Sequence, residues 1–177
     1  MQFSERFEEF MSFFTYTARV HAARAKWVIS QVMAGTQLIP TDTHLKNMAQ
    51  TDQGQVMHFD FGRTIPGSPM YPVPNTAAHL ALAVIGESLE LKSGIKALEA
   101  LLHGVAEVFT QDEELFALFA VAELLHRASG RWLDPRLLKT DPLTTERRAR
   151  QIATTIMEQP NPQIATFIDA LHTHHNS

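Results

Sequence analysis

An all-α bundle of six or seven helices, with one short extended segment and a proline-rich loop, is the architecture this sequence predicts. Three features predict it. Apolar residues recur at helical three-to-four spacing over most of the 177 residues. Capping and stop residues punctuate the second half of the chain. Only one stretch, near residues 55–61, alternates in the manner of a strand. With 45% hydrophobic and 19% charged residues, the chain has enough apolar material for one core and too little charge for a disordered tail.

Phe3 to about Ala34 reads as one long helix. Ser4 can cap it, and Glu5, Glu8 and Glu9 suit the positive end of its dipole. Phe3, Phe7, Phe10 and Phe14 form an apolar stripe that continues through Ala18, Ala22 and Ala25 to Ile29 and Val32. At 1.5 Å per residue this helix is about 45 Å long. The stripe packs either in the core or along a dimer seam, and Gly35 ends the helix. A short helical stretch follows over Asp42 to Gln50, then the extended Gln55–Phe61. From Gly62 to Pro74 the four prolines Pro66, Pro69, Pro72 and Pro74 imply a surface loop. Asn75 then caps a helix to about Leu91, and Ser93 opens one over Gly94 to Phe109. Thr110 to Glu113 forms a capping box for Asp112 to Ser129, closed by Gly130. Asp141 with Pro142 opens a helix reaching Gln159, and Asn161 with Pro162 opens the last, to about His172. The expected organisation is therefore 1–61 (long helix, short helix, extended segment), 62–74 (loop) and 75–177 (bundle), in one compact unit.

Several chemistries are excluded or unsupported. Without cysteine there is no disulfide, zinc–thiolate site or thiol nucleophile. The most apolar run, Phe116 to Leu125, is short and holds Glu123, so no membrane span is expected. Met1 to Glu5 is acidic, unlike a signal peptide, and a cytoplasmic location is expected. There is no Gly-x-Ser-x-Gly elbow, and Gly62–Gly67 lacks the lysine of a phosphate loop. Catalysis has no support, and no cofactor is expected. A metal is the alternative reading. Glu123 and His126 form a single Glu-x-x-His, and Glu99, His103 and Glu107 are spaced by four, so each set shares a helical face. Such pairs also occur on solvated faces with no ligand.

The net charge of -4 hides a segregation. Between His126 and Arg150, seven basic residues (Arg127, Arg131, Arg136, Lys139, Arg147, Arg148, Arg150) face three acids. From Glu99 to Glu123 there are six acids and no lysine or arginine. The basic segment can face outward, with Trp132 as an anchor, and bind phosphates without reading sequence. Alternatively its arginines pair internally with the acidic helices.

Met48-Ala49-Gln50-Thr51-Asp52-Gln53, followed by Val56-Met57-His58-Phe59-Asp60-Phe61, resembles the centre of the FlhD-type transcriptional regulators, the D subunits of the flagellar master activator. Ala78 to Glu87 matches the helix that follows there. The resemblance covers roughly the first half of the chain. Met57 stands where that family often has cysteine, Asp60 replaces a basic residue, and the loop 62–74 is extra. The resemblance implies an intertwined helical dimer that works with a zinc-bearing partner subunit to bind promoter DNA, with His58 and Arg63 near the DNA. The expected function is thus a non-catalytic regulatory module in a transcription-control complex, acting through a protein partner or homodimer and through DNA. The alternatives are a metal- or ligand-binding bundle and a chaperone- or immunity-type protein.

Overall fold

A computed structural model describes residues 30–31, 35, 37–40, 43–53, 56–60, 62, 64–68, 72–109, 113–129 and 133–175. Among these are five α-helices: α1 (Pro72–Ile85), α2 (Leu91–Phe109), α3 (Glu113–Ala128), α4 (Pro142–Met157) and α5 (Ile164–His174). Four short strands precede them: β1 (Gln37–Pro40), β2 (Met48–Gln50), β3 (Val56–His58) and β4 (Thr64–Gly67). The protein is mostly helical, with two small antiparallel sheets. The predicted long helix lies outside the described residues except Ser30 and Gln31, which are helical. No helix among the described residues is long and apolar enough to cross a membrane.

The core is built around α1 and α3. From Pro74 to Ile85, α1 is buried on every side, and α3 is buried from Leu115 onward. A helix buried all round must lie at the centre of its bundle, and the alanines 77, 78, 81 and 83 let its neighbours approach closely. Helix α2 packs on α1, α4 on α3, and α5 on α4 and α3. Phe116, Phe167, Leu82, Ile152, Ile156 and Leu171 are fully buried, each worth about 1.5–3 kcal/mol against exposure. Helix α2 comes close enough to α1 that a Cβ on Gly94 would collide with Val84.

Local chemistry sets the helix ends. Glu113 and Glu114 open α3, and His126 and Arg127 close it, each sign matching the dipole. Asp141 caps α4 by accepting from the Thr144 N–H at 2.9 Å, with Pro142 in the first turn. At α5 the start moves to Ile164, where the Gln163 N–H donates to the Thr166 hydroxyl and the Ile164 N–H to Glu113. The end of α1 is closed from a distance. Arg148, buried on α4, donates to the Ile85 carbonyl at 2.7 Å and to Glu87 Oε1 at 2.9 Å. Glu87 adopts a left-handed φ of 62° and bridges to Leu138, while the Lys139 N–H donates to the Gly86 carbonyl. A predicted single helix over 75–91 is therefore broken at Gly86–Glu90.

The strands bear on three further expectations. In place of a short helix over 42–50 there is one 3-10 turn, Leu45–Asn47, running into β2. An isolated helix of nine residues is unstable in water, and β2 gains a partner by pairing Met48 with His58 and Gln50 with Val56. The extended segment 55–61 contains β3, the short strand that its alternation suggests, and β3 forms one arm of a hairpin. The expected loop 62–74 contains β4, which pairs Thr64 with Pro40 and Gly67 with Gln37. A proline is tolerated there because a two-stranded sheet is all edge. Pro72 and Pro74 fall in the first turn of α1, where no N–H is needed. Gly35 lies so tightly against the Gly67 backbone that no side chain fits.

Candidate functional site

Because α1 is wholly buried, its polar residues must find partners inside the protein. Asn75 and His79, four apart, face Glu123 and Arg127, four apart on α3. The Arg127 Nε lies 3.4 Å from Glu123 Oε2, and both side chains are buried. Asn75 bridges this ion pair. Its Nδ2 donates to Glu123 Oε2 at 3.3 Å, and its Oδ1 accepts from Arg127 Nη2 at 3.0 Å. Exchanging the two ends of the amide would set donor against donor, so the pair fixes the orientation of Asn75.

One turn further along α1, His79 is only 7% exposed, and its Nε2 is buried without a hydrogen-bond partner. The His44 ring stands 5.2 Å away, centroid to centroid, tilted by 54°. Burial, then Arg127, then His44 and Lys46, push the His79 imidazole down to about 2, so it is neutral at ordinary pH.

Residues 43–47 roof this cluster. The Thr76 hydroxyl donates to the Thr43 carbonyl at 2.7 Å, and the Thr43 hydroxyl donates to the Pro72 carbonyl at 2.9 Å. Lys46 pairs with Asp134 in the α3–α4 connection. Desolvation, helped by nearby Arg136, lowers the Lys46 ammonium below its usual range. Asp134 also accepts from the Arg136 backbone N–H at 3.0 Å and from its Nε at 3.2 Å.

A second feature is the exposed apolar side chains of the small strands. Ile39 enters the core and His58 is half-buried, whereas Leu38, Met57 and Phe59 are 74%, 55% and 46% exposed. The Phe59 N–H donates to the Asn47 carbonyl at 2.8 Å, which joins the exposed hairpin to the roof.

The residues singled out in the sequence separate accordingly. Arg127 belongs to the buried cluster and Arg148 to the closure of α1. Arg150 is tied to Glu146, with its Nη2 at 2.6 Å, and Arg136 to Asp134. Arg147 and Lys139 are exposed. Arg63, Arg131 and Trp132 lie outside the described residues. Of the metal candidates, Glu99 and His103 are exposed on α2, whereas Glu123 and His126 are buried on α3. The Glu107 side chain lies outside the described residues. Among the described residues no three His, Asp or Glu side chains are placed to hold a metal ion.

Sequence reasoning found Glu123 and Arg127 but missed Asn75, His79, His44 and Lys46 as their company. One signal was present: Asn75 and His79 interrupt the otherwise apolar run through Ile85 at a spacing of four. No protein family, curated protein or solved structure matches the chain.

Proposed function

We propose that the protein is a non-catalytic interaction module, a subunit of a transcription-control complex, which engages a protein partner through the outer face of its two small sheets. One observation carries this reading. Of the large hydrophobic side chains exposed among the described residues, Leu38, Met57 and Phe59 sit in or beside β1 and β3, and only Leu143 lies elsewhere. Met57 and Phe59, two residues apart on one hairpin, are neighbouring exposed apolar side chains, a common mark of a binding surface. Met57 and Phe59 also fall within the run that resembles the FlhD-type regulators, so two independent considerations meet on one hairpin.

A protein partner is favoured over DNA as the principal ligand. Two arginines of the basic segment are buried in the fold's own contacts, and two more pair with Asp134 and Glu146. Among the described residues of that segment, fewer cations are left for a phosphate backbone than the linear count suggests.

Quantitative affinity capture from native lysate tests the proposal, with wild type compared with the double variant Met57→Asp, Phe59→Asp. A component of the transcription apparatus retained by wild type and lost by a variant of unchanged melting temperature is the expected result. Equal retention by both proteins, or no such component, would overturn it. Light scattering with mixed-sequence DNA at low and high salt decides whether DNA binds directly.

A further inference from the structure

We propose that the exposed face of the β2–β3 hairpin docks a basic amphipathic helix of a partner protein, an inference that rests on reading this hairpin as a partner surface. Along a strand every second side chain points to the same face. Ala49 is paired with Met57, and the Phe59 amide continues that register by donating to the Asn47 carbonyl. Ala49, Met57 and Phe59 therefore share a face, and all three are exposed. Met48 and His58 have the opposite parity and are half-buried. The hairpin is thus packed on one side and apolar towards solvent on the other. Met57 and Phe59, two residues apart, stand about 7 Å from each other along the chain. Side chains four residues apart on a helix are about 6 Å apart, so one helix can set an apolar anchor against each. Methionine suits such a seat because its unbranched, polarisable side chain adapts to what it meets.

Charge selects the partner. Residues 48–62 hold Asp52 and Asp60 and no lysine or arginine, and Lys46, just before β2, is paired with Asp134. Asp52 lies in the turn that joins the two strands, and Asp60 directly follows Phe59, so the two carboxylates bracket the apolar row. Both are exposed, and among the described residues neither is paired with a cation. Asp60 is fixed at its end of the row: its φ is a left-handed 69°, and its Oδ1 accepts from the Gly62 N–H at 3.3 Å. The four residue steps from Asp60 back to the start of β3 span about 14 Å, or about nine residues of helix. A helix with two apolar anchors four residues apart, and a lysine or arginine towards each end, meets all four side chains. The same carboxylates repel a phosphate backbone and an anionic membrane, and a second copy of the chain would bring its own pair against them.

The test uses the full chain and a displayed library of alanine-rich helical peptides. Two leucines are fixed four residues apart, and Lys, Arg, Asp, Glu or Gln is allowed at the flanking positions. Selection on wild type is expected to enrich Lys and Arg over Asp and Glu. The best selected peptide should then bind Met57→Asp, Phe59→Asp at least about tenfold more weakly by fluorescence anisotropy. It should bind the neutralised Asp52→Asn, Asp60→Asn about threefold to tenfold more weakly, the scale of two rim ion pairs, with the gap closing as salt rises. Asparagine keeps the turn geometry at both positions. Peptides that need Met57 and Phe59 but show no cationic preference overturn the basic partner and leave the hairpin as a partner surface. No enrichment, or binding that Met57→Asp, Phe59→Asp does not weaken, overturns both readings. Light scattering without peptide checks the second copy, and phosphatidylserine vesicles check a membrane. A doubled mass, or vesicle binding, that depends on Met57 and Phe59 overturns the proposal. Should Met57→Asp, Phe59→Asp not fold, the neutralised protein decides alone, since equal affinity with and without the two carboxylates sinks the assignment.

Discussion

Lowering the pH from 7 to 5 is expected to destabilise the protein through one side chain, His79. In the unfolded chain a histidine titrates near 6.5, whereas burial beside Arg127, His44 and Lys46 pushes the folded His79 down to about 2. Between those values the unfolded state binds a proton that the native state refuses. Stability from this group is therefore complete above 6.5 and is lost as pH falls toward 2. Each full pH unit in that window corresponds to about 1.4 kcal/mol. From pH 7 to 5 the loss is about 2 kcal/mol, because the first half-unit lies above the unfolded value. That is a large share of a typical domain's stability of about 5–15 kcal/mol. The assay is urea denaturation at pH 7, 6 and 5, comparing wild type with His79→Leu, with chloride as the sole small anion. Arg127, Lys46, His44 and Glu123 remain in both proteins, so the difference between the two pH profiles isolates His79. Parallel profiles would refute the reasoning, since they would mean that His79 is solvated or paired in solution.

Two further substitutions probe the frame around the site. Gly94→Ala drives a methyl group into Val84 at the α1–α2 contact, and overpacking of this kind costs about 1–3 kcal/mol. Thermal melts should show the loss, and adding Val84→Ala should restore part of it; an unchanged melt would mean the helices are further apart than described. Arg148→Met leaves the Ile85 carbonyl without its 2.7 Å donor and releases Glu87, at a cost of about 2–3 kcal/mol. Hydrogen exchange should accelerate first at the Glu87 and Lys139 amides, and a uniform change across all helices would refute the assigned role.

The helices were legible where local chemistry decides them. Asp141 followed by Pro142 marks the start of α4 whatever surrounds it, because cap and proline act within one turn. Non-local pairing decides the rest. Asn75 in front of an apolar run reads as a cap, and only Glu123 and Arg127, 48 and 52 residues away, draw it inside. Residues 42–50 read as a short helix because β3, the strand that claims β2, is invisible to a window of nine residues. Charge counting left the outward and the internally paired readings open for the same reason. Arg127 and Arg148 add to a basic segment on paper, yet both are buried, since a linear count carries no information on which guanidinium has a carbonyl or carboxylate waiting for it.

The manner in which the roof is attached unites the interior cluster with the exposed hairpin. Residues 43–47 meet α1 through Thr43 and Thr76 and meet the α3–α4 connection through Lys46. Apolar burial is indifferent to direction, but hydrogen bonds and an ion pair fix orientation. The same segment carries the Asn47 carbonyl that holds Phe59, so the polar contacts beneath the roof set the position of the apolar residues above it. A core sealed only by hydrophobic side chains could cover α1 and α3 equally well and with less electrostatic cost. What the polar contacts add is direction: they hold residues 43–47, and through the Asn47 carbonyl the Phe59 amide, in one orientation on α1. That requirement gives a physical reason for a buried Glu123–Arg127 pair, which on stability alone a pair of apolar side chains could replace.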